Sequence, residues 1–158
     1  MHMHKNGSSL TLAAGLALFA CGKSDTFVAN LNGANEAPSV STTATGTATL
    51  TLDGSTMSYT INASGLTSNA AAAHLHVAAS GVTGPIVVGF TGVPASTAPS
   101  ATGSFTGADI VNPTNPPLST PIATMDELVD AIRAGNVYVN VHTMNHAAGE
   151  IRGQLAAQ

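Results

Sequence analysis

The sequence predicts an all-β fold: a Greek-key β-barrel or sandwich of about eight strands, with one short helix over about residues 124–134. Three observations carry this. Thr45 to Leu52 sets Thr45, Thr47, Thr49 and Thr51 against Ala48, Leu50 and Leu52, and Thr56 to Ala63 sets Met57, Tyr59 and Ile61 on one side. Period two is the period of a strand. Asp53-Gly54 stands between these runs and is a hairpin signal. The 16 glycines and 8 prolines cut the chain into short segments, and charged residues are only 8%. That composition suits strands joined by turns. An apolar fraction of 44% is ordinary for a folded chain, and 158 residues suit one domain.

Residues 1–20 read as an export signal. Lys5 supplies the positive start, and Leu10 to Ala20 is an apolar run too short to cross a bilayer. It ends in Leu18-Phe19-Ala20-Cys21, which resembles a bacterial lipobox with Phe19 where small or β-branched residues are commoner. Processing there cleaves before Cys21 and acylates its sulfur, leaving residues 21–26 as a lipidated cysteine and tether. Two acyl chains suffice for a stable anchor. This reading makes the protein exported and membrane-anchored in the bacterial cell envelope, facing periplasm or exterior. The alternative is an ordinary signal peptide with an incidental cysteine. Cys21 is the single cysteine, so the mature fold carries no intramolecular disulfide. His2 and His4 leave with the signal. A net charge of −4 without a basic patch argues against a nucleic-acid partner. The membrane, through the lipid, is the partner implied; no protein partner can be read.

The rest follows in order. Thr26 to Leu31 is the first strand, and Asn32 to Ser41 is a turn-rich loop with Gly33 and Pro38. The Thr45–Ala63 hairpin comes next. Gly65 to Ala70 leads to a strand around His74. Gly81 to Gly84 is a turn, Pro85 to Phe90 a strand, and Gly92 to Ser100 a loop. Ala101 to Ile110 is a strand anchored by Phe105. Pro113, Pro116, Pro117 and Pro121 make Asn112 to Pro121 a loop, since proline cannot donate to a ladder. Thr124-Met125-Asp126-Glu127 is a helix capping box. Leu128, Val129 and Ile132 form the apolar face of that helix, and Gly135 stands where its end favours a left-handed residue. Asn136 to Thr143 is a strand, a loop holds His146, and Glu150 to Ala156 is the last strand.

Every histidine beyond the leader lies in residues 72–78 or 136–155. Alternation puts His74 and His76 on one face, away from Leu75 and Val77. It puts Tyr138, Asn140 and His142 opposite Val137, Val139 and Val141. The apolar sets face a core, so the imidazoles face outward; if the two strands meet, three converge. Two histidines at i and i+2 lie roughly 6–7 Å apart at Cα, close enough to share a metal. His146 is a candidate fourth ligand. Imidazoles suit copper or zinc, copper being favoured here, and the lack of cysteine excludes a thiolate copper site. Met144 is either a soft ligand for Cu(I) or a packing residue. Asn140 is placed to orient an imidazole from behind. Glu150 and Arg152 share a face, where they form an ion pair or hydrogen bonds that fix the His142 loop. The bland alternative is that the histidines are structural. No nucleophile elbow or phosphate loop appears, which weighs against an enzyme.

These segments carry a resemblance. His74-Leu75-His76, Gly84-Pro85-Ile86-Val87-Val88, Ala134 to Thr143 and Gly149-Glu150-Ile151-Arg152-Gly153-Gln154-Leu155 resemble the CHRD domain, named after chordin, over residues 27–156. Leu31-Asn32-Gly33-Ala34-Asn35-Glu36-Ala37-Pro38 resembles its opening motif. Val77-Ala78 and Ala148-Gly149 depart from the family's Gly-Pro and Pro-Gly. In chordin this domain sits in a secreted growth-factor binder, which implies an interaction or structural module without metal as the second reading. A more distant resemblance is to copper/zinc superoxide dismutase: the His-x-His strand, Val141-His142, and Gly149 to Gly153. It implies His74, His76 and His142 as copper ligands on the outer face of an eight-stranded barrel, with Arg152 guiding superoxide. A zinc loop, a disulfide and a bridging histidine have no counterpart, so dismutase-like catalysis is the third reading.

Overall fold

The computed structural model describes residues 25–111 and 121–158. The leader, Cys21 with most of its tether, and the proline-rich stretch 112–120 lie outside the described residues. In chain order come β1 (Asp25–Asn32), β2 (Thr45–Asp53), β3 (Thr56–Ser64), β4 (Ala70–Val77), β5 (Ile86–Gly89), β6 (Ser100–Thr106), α1 (Met125–Arg133), β7 (Val137–Thr143), β8 (Ile151–Gln154) and β9 (Ala156–Ala157). Among the described residues no helix is long and apolar enough to cross a membrane.

The strands form one antiparallel sheet in the order β5-β4-β7-β8-β1-β2-β3-β6, with β9 beside β1. β1, β2 and β3 are a meander. The chain then crosses to the far side for β4 and β5 and returns for β6 against β3, a Greek-key kind of connection. The sheet curls so that both halves feed one core. Phe27, Leu50 and Ile61 from one half join Leu75, Val139 and Ile151 from the other in a single buried cluster. The expected all-β architecture and its short helix are therefore present.

Local chemistry explains the boundaries. Gly54, with φ +58°, turns the β2–β3 hairpin. Thr124 Oγ1 accepts from Glu127 N at 3.3 Å while Glu127 Oε2 accepts from Thr124 N at 3.0 Å, the reciprocal cap of α1. Gly135, φ +74°, ends the helix. A 9-residue helix is too short to stand alone. Burial of Met125, Leu128, Val129 and Ile132 holds it, at about 1.5–3 kcal/mol per side chain.

Two strands are shorter than the sequence suggests. β6 stops at Thr106, because the Asp109 carboxylate accepts from Thr106 N at 2.8 Å and starts a 3₁₀ turn over Gly107–Asp109. The last strand breaks at Leu155. That side chain is buried, and the ladder resumes as β9 on β1.

Register positions the site. β4 pairs with β7 so that His76 lies opposite Tyr138, His74 opposite Asn140, and Ala72 opposite His142. β7 pairs with β8 so that Asn140 lies opposite Arg152. One outward face thus gathers residues far apart in the chain.

Candidate metal centre

Strand alternation builds the centre from below. Ala73, Leu75, Val137, Val139 and Val141 are 0% exposed in the core. Their neighbours must then face outward, and His74, His76 and His142 meet there. Their ligand atoms lie within 4.8 Å of one another. His74 Nδ1 and His142 Nε2 are 2.9 Å apart.

Two backbone carbonyls settle the tautomers. His76 Nδ1 lies 2.8 Å from Gly84 O, and His142 Nδ1 lies 3.0 Å from Ala147 O. A carbonyl only accepts, so each Nδ1 carries the proton and each neutral ring keeps its lone pair on Nε2. His142 Nε2 therefore accepts from His74 Nδ1–H. His76 Nε2 is buried and has no partner. Gly84 is required here, because a Cβ would strike the Val77 carbonyl and push its own carbonyl off His76.

The electrostatics keep the rings neutral. Burial, aided by repulsion from His142 and His76, lowers His74 to about 4. Burial also lowers His76 and His142, against the opposing pull of their carbonyl partners. Metal ligation needs neutral imidazole, so these shifts favour a bound ion over a proton. Metal–nitrogen bonds of about 2.0–2.1 Å put donor nitrogens about 3.4 Å apart. The three ligand atoms, within 4.8 Å of one another, stand near that spacing. Ligand Nδ1–H groups tied to carbonyls are also the usual outer support of a metal-bound histidine. The residues present fit an ion.

A second layer surrounds the triad. Tyr138 stacks on His76, with centroids 4.8 Å apart and planes at 7°. The Arg152 Cζ lies 3.4 Å from the Tyr138 centroid, a cation–π contact. His76 reaches Tyr138 from β4 and Arg152 from β8, the strands on either side of β7. The Tyr138 hydroxyl accepts from Gly84 N at 3.2 Å, which ties the ring to the residue whose carbonyl accepts from His76. Arg152 Nη2 donates to Ala79 O at 3.1 Å and Gln154 Oε1 at 3.2 Å.

This corrects the role that the dismutase resemblance implies for Arg152. A guiding arginine must meet the incoming anion, and Arg152 is 2% exposed beneath a loop and against Tyr138.

Glu150 makes hydrogen bonds rather than an ion pair with Arg152. Its Oε1 accepts from Thr42 Oγ1 and Thr67 N, at 3.0 and 2.9 Å. Its Oε2 accepts from Thr67 Oγ1 and Thr143 Oγ1, at 2.9 and 2.7 Å. Burial alone would raise this carboxyl, but the hydrogen bonds outweigh it and hold it below the usual range. Glu150 precedes β8 and so escapes the strand alternation that paired it with Arg152 on paper. Through Thr143 it anchors the turn whose Ala147 carbonyl orients His142. His146 closes that turn through its backbone, its N–H donating to Thr143 O at 3.2 Å, and stands outside the three-histidine group. Met144 is 77% exposed.

Asn140 is 2% exposed beside His76, and its dipole favours the charged ring. Sequence reasoning missed Glu36 as a member of this layer. Its carboxyl is pushed up to about 7 by burial, against the pull of Arg152. Gly149 makes room for it: a Cβ there would sit 2.5 Å from Glu36 Oε1 and 2.8 Å from Asn140 Nδ2. Glu36 is the acid of the Leu31–Pro38 motif, and that motif was its only signal. Among the described residues, the buried side-chain polar atoms without a partner are Glu36 Oε1, His76 Nε2 and Asn140 Oδ1. Glu36 and Asn140 pack against Gly149, and Asn140 neighbours His76. Of these atoms only His76 Nε2 belongs to the histidine group, and an unmatched acceptor there is what a bound ion or a water would satisfy.

A family model described as the CHRD domain matches residues 27–155. No curated protein and no solved structure matches. The likeness to copper/zinc superoxide dismutase therefore rests on motifs alone.

Proposed function

The chain belongs to the CHRD-domain family, and from that premise we propose an exported, lipid-anchored envelope protein whose three-histidine centre binds a metal ion, copper ahead of zinc. The family is one of extracellular-type domains, which supports export. The observation that carries the metal reading is the donor set. Three neutral imidazoles converge, two are held by carbonyls at Nδ1, and His76 Nε2 is buried without a partner. The His74–His142 hydrogen bond favours a second reading, in which the triad is structural and the domain is an interaction module.

Copper and zinc titration of residues 22–158, beside a His74→Ala/His76→Ala/His142→Ala variant, separates the two. Tight one-to-one binding lost in the variant supports the metal centre. Equal, weak binding by both proteins leaves the interaction module. Mass spectrometry of the cell-expressed protein tests the anchor: acylation at Cys21 is expected, and its absence from wild type refutes the lipoprotein assignment.

A further inference from the structure

We infer that the centre takes monovalent copper, Cu(I), in preference to any divalent ion, because its donors are uncharged and a fixed guanidinium stands behind one of them. This inference rests on the metal-binding reading above.

Imidazole donors by themselves suit either charge state. The surroundings separate them. The ligand group holds no carboxylate and no thiolate. The nearby acids do not supply one. Glu150 has all its hydrogen bonds with Thr42, Thr67 and Thr143, and Glu36 is packed against Gly149 and Asn140. Arg152 is a permanent positive charge in the layer behind His76. It is 2% exposed, held by Ala79 O and Gln154, and stacked on Tyr138, which in turn stacks on His76. Its repulsion of a bound ion is twice as large for a 2+ charge as for a 1+ charge. The cost of leaving water rises more steeply still, as the square of the charge. His76 is 7% exposed, so its ion would be partly dehydrated. A soft thioether lies close in the chain as well: Met144, two residues after His142, is 77% exposed. Thioethers favour Cu(I).

The test uses anaerobic competition of the wild-type protein against a chromogenic Cu(I) chelator, with matching competitions for Cu(II) and Zn(II). Asn140→Asp is the paired variant, since it places a carboxylate beside His76 with almost no change in volume. Cu(I) is expected to bind more tightly than either divalent ion. In Asn140→Asp the ratio of Cu(I) to Zn(II) affinity is expected to fall by about tenfold or more. Arg152→Met, which keeps the apolar stem and removes the charge, moves the ratio the same way and covers the case of a misfolded Asn140→Asp. Zn(II) or Cu(II) binding as tightly as Cu(I), or a ratio unmoved in the folded variants, overturns this inference alone. A protein that binds none of the three ions overturns the metal reading itself.

Discussion

His74 of β4 and His142 of β7 share a hydrogen bond of 2.9 Å between Nδ1 and Nε2, and its direction is fixed from outside the pair. Ala147 O accepts from His142 Nδ1–H, so His142 Nε2 must accept and His74 Nδ1 must donate. A metal ion held by both rings would break that bond, because the lone pair on His142 Nε2 cannot serve the ion and the His74 proton together. Imidazole ¹⁵N shifts of the apo and loaded protein report the exchange.

The apo fold should weaken in acid. His74 is lowered from 6.5 to about 4, so the unfolded chain binds more protons than the native one between those values. Stability therefore rises with pH through that window and is lost as pH falls below about 6.5. His74 is only partly buried, so screening cuts the effect to about 1–2 kcal/mol. Urea melts at pH 7 and pH 5 measure it. His74→Gln should flatten the dependence; an unchanged slope refutes the assignment.

Glu36 works in the opposite direction. Its carboxyl is raised from 4.5 to about 7, so the native state holds the extra proton between those values. Its contribution is intact below about 4.5 and is lost as pH rises through 7. Glu36→Gln should be more stable than wild type at pH 8, by about 1–2 kcal/mol after screening, with the advantage gone at pH 4. Thermal unfolding at the two pH values decides the matter.

Glu150→Gln should be costly. The amide keeps one acceptor where the carboxylate offered two, and it faces Thr67 and Thr143 hydroxyls at 2.9 and 2.7 Å. About 2–3 kcal/mol of unfolding free energy should be lost. Metal affinity should fall too, since the turn bearing Ala147 O loosens. A variant as stable as wild type would show that the buried carboxylate is dispensable.

Gly149→Ala separates backbone strain from crowding. Gly149 has φ +126°, and its new Cβ meets Glu36 and Asn140. Gly54→Ala, at φ +58° with nothing within 4 Å, carries strain alone. The first should cost about 1–3 kcal/mol and exceed the second, which should cost about 1 kcal/mol. Only Gly149→Ala should weaken metal binding. Equal effects on binding would detach Gly149 from the centre.

Much of this protein is legible in the order of its residues. Alternation assigned Leu75 and Val77 to one side of a strand and His74 and His76 to the other, because a side chain's face depends only on its place in a period of two. Asp53-Gly54 marked a hairpin and Thr124 to Glu127 a cap for the same reason: each interaction spans a few residues. The three histidines and their outward direction followed from these local patterns. What the tertiary structure alone decided are relations between distant segments. The register of β4 on β7 sets His76 against Tyr138, and β8 lays Arg152 over the same ring. The loop after β1 brings Glu36 to Gly149, and backbone carbonyls of Gly84 and Ala147 choose the tautomers. His146, close in sequence to His142, closes a tight turn through its backbone and stands outside the three-histidine group. Local periodicity chooses a face, but only chain closure, through hydrogen bonds and packing between segments far apart, determines what covers that face.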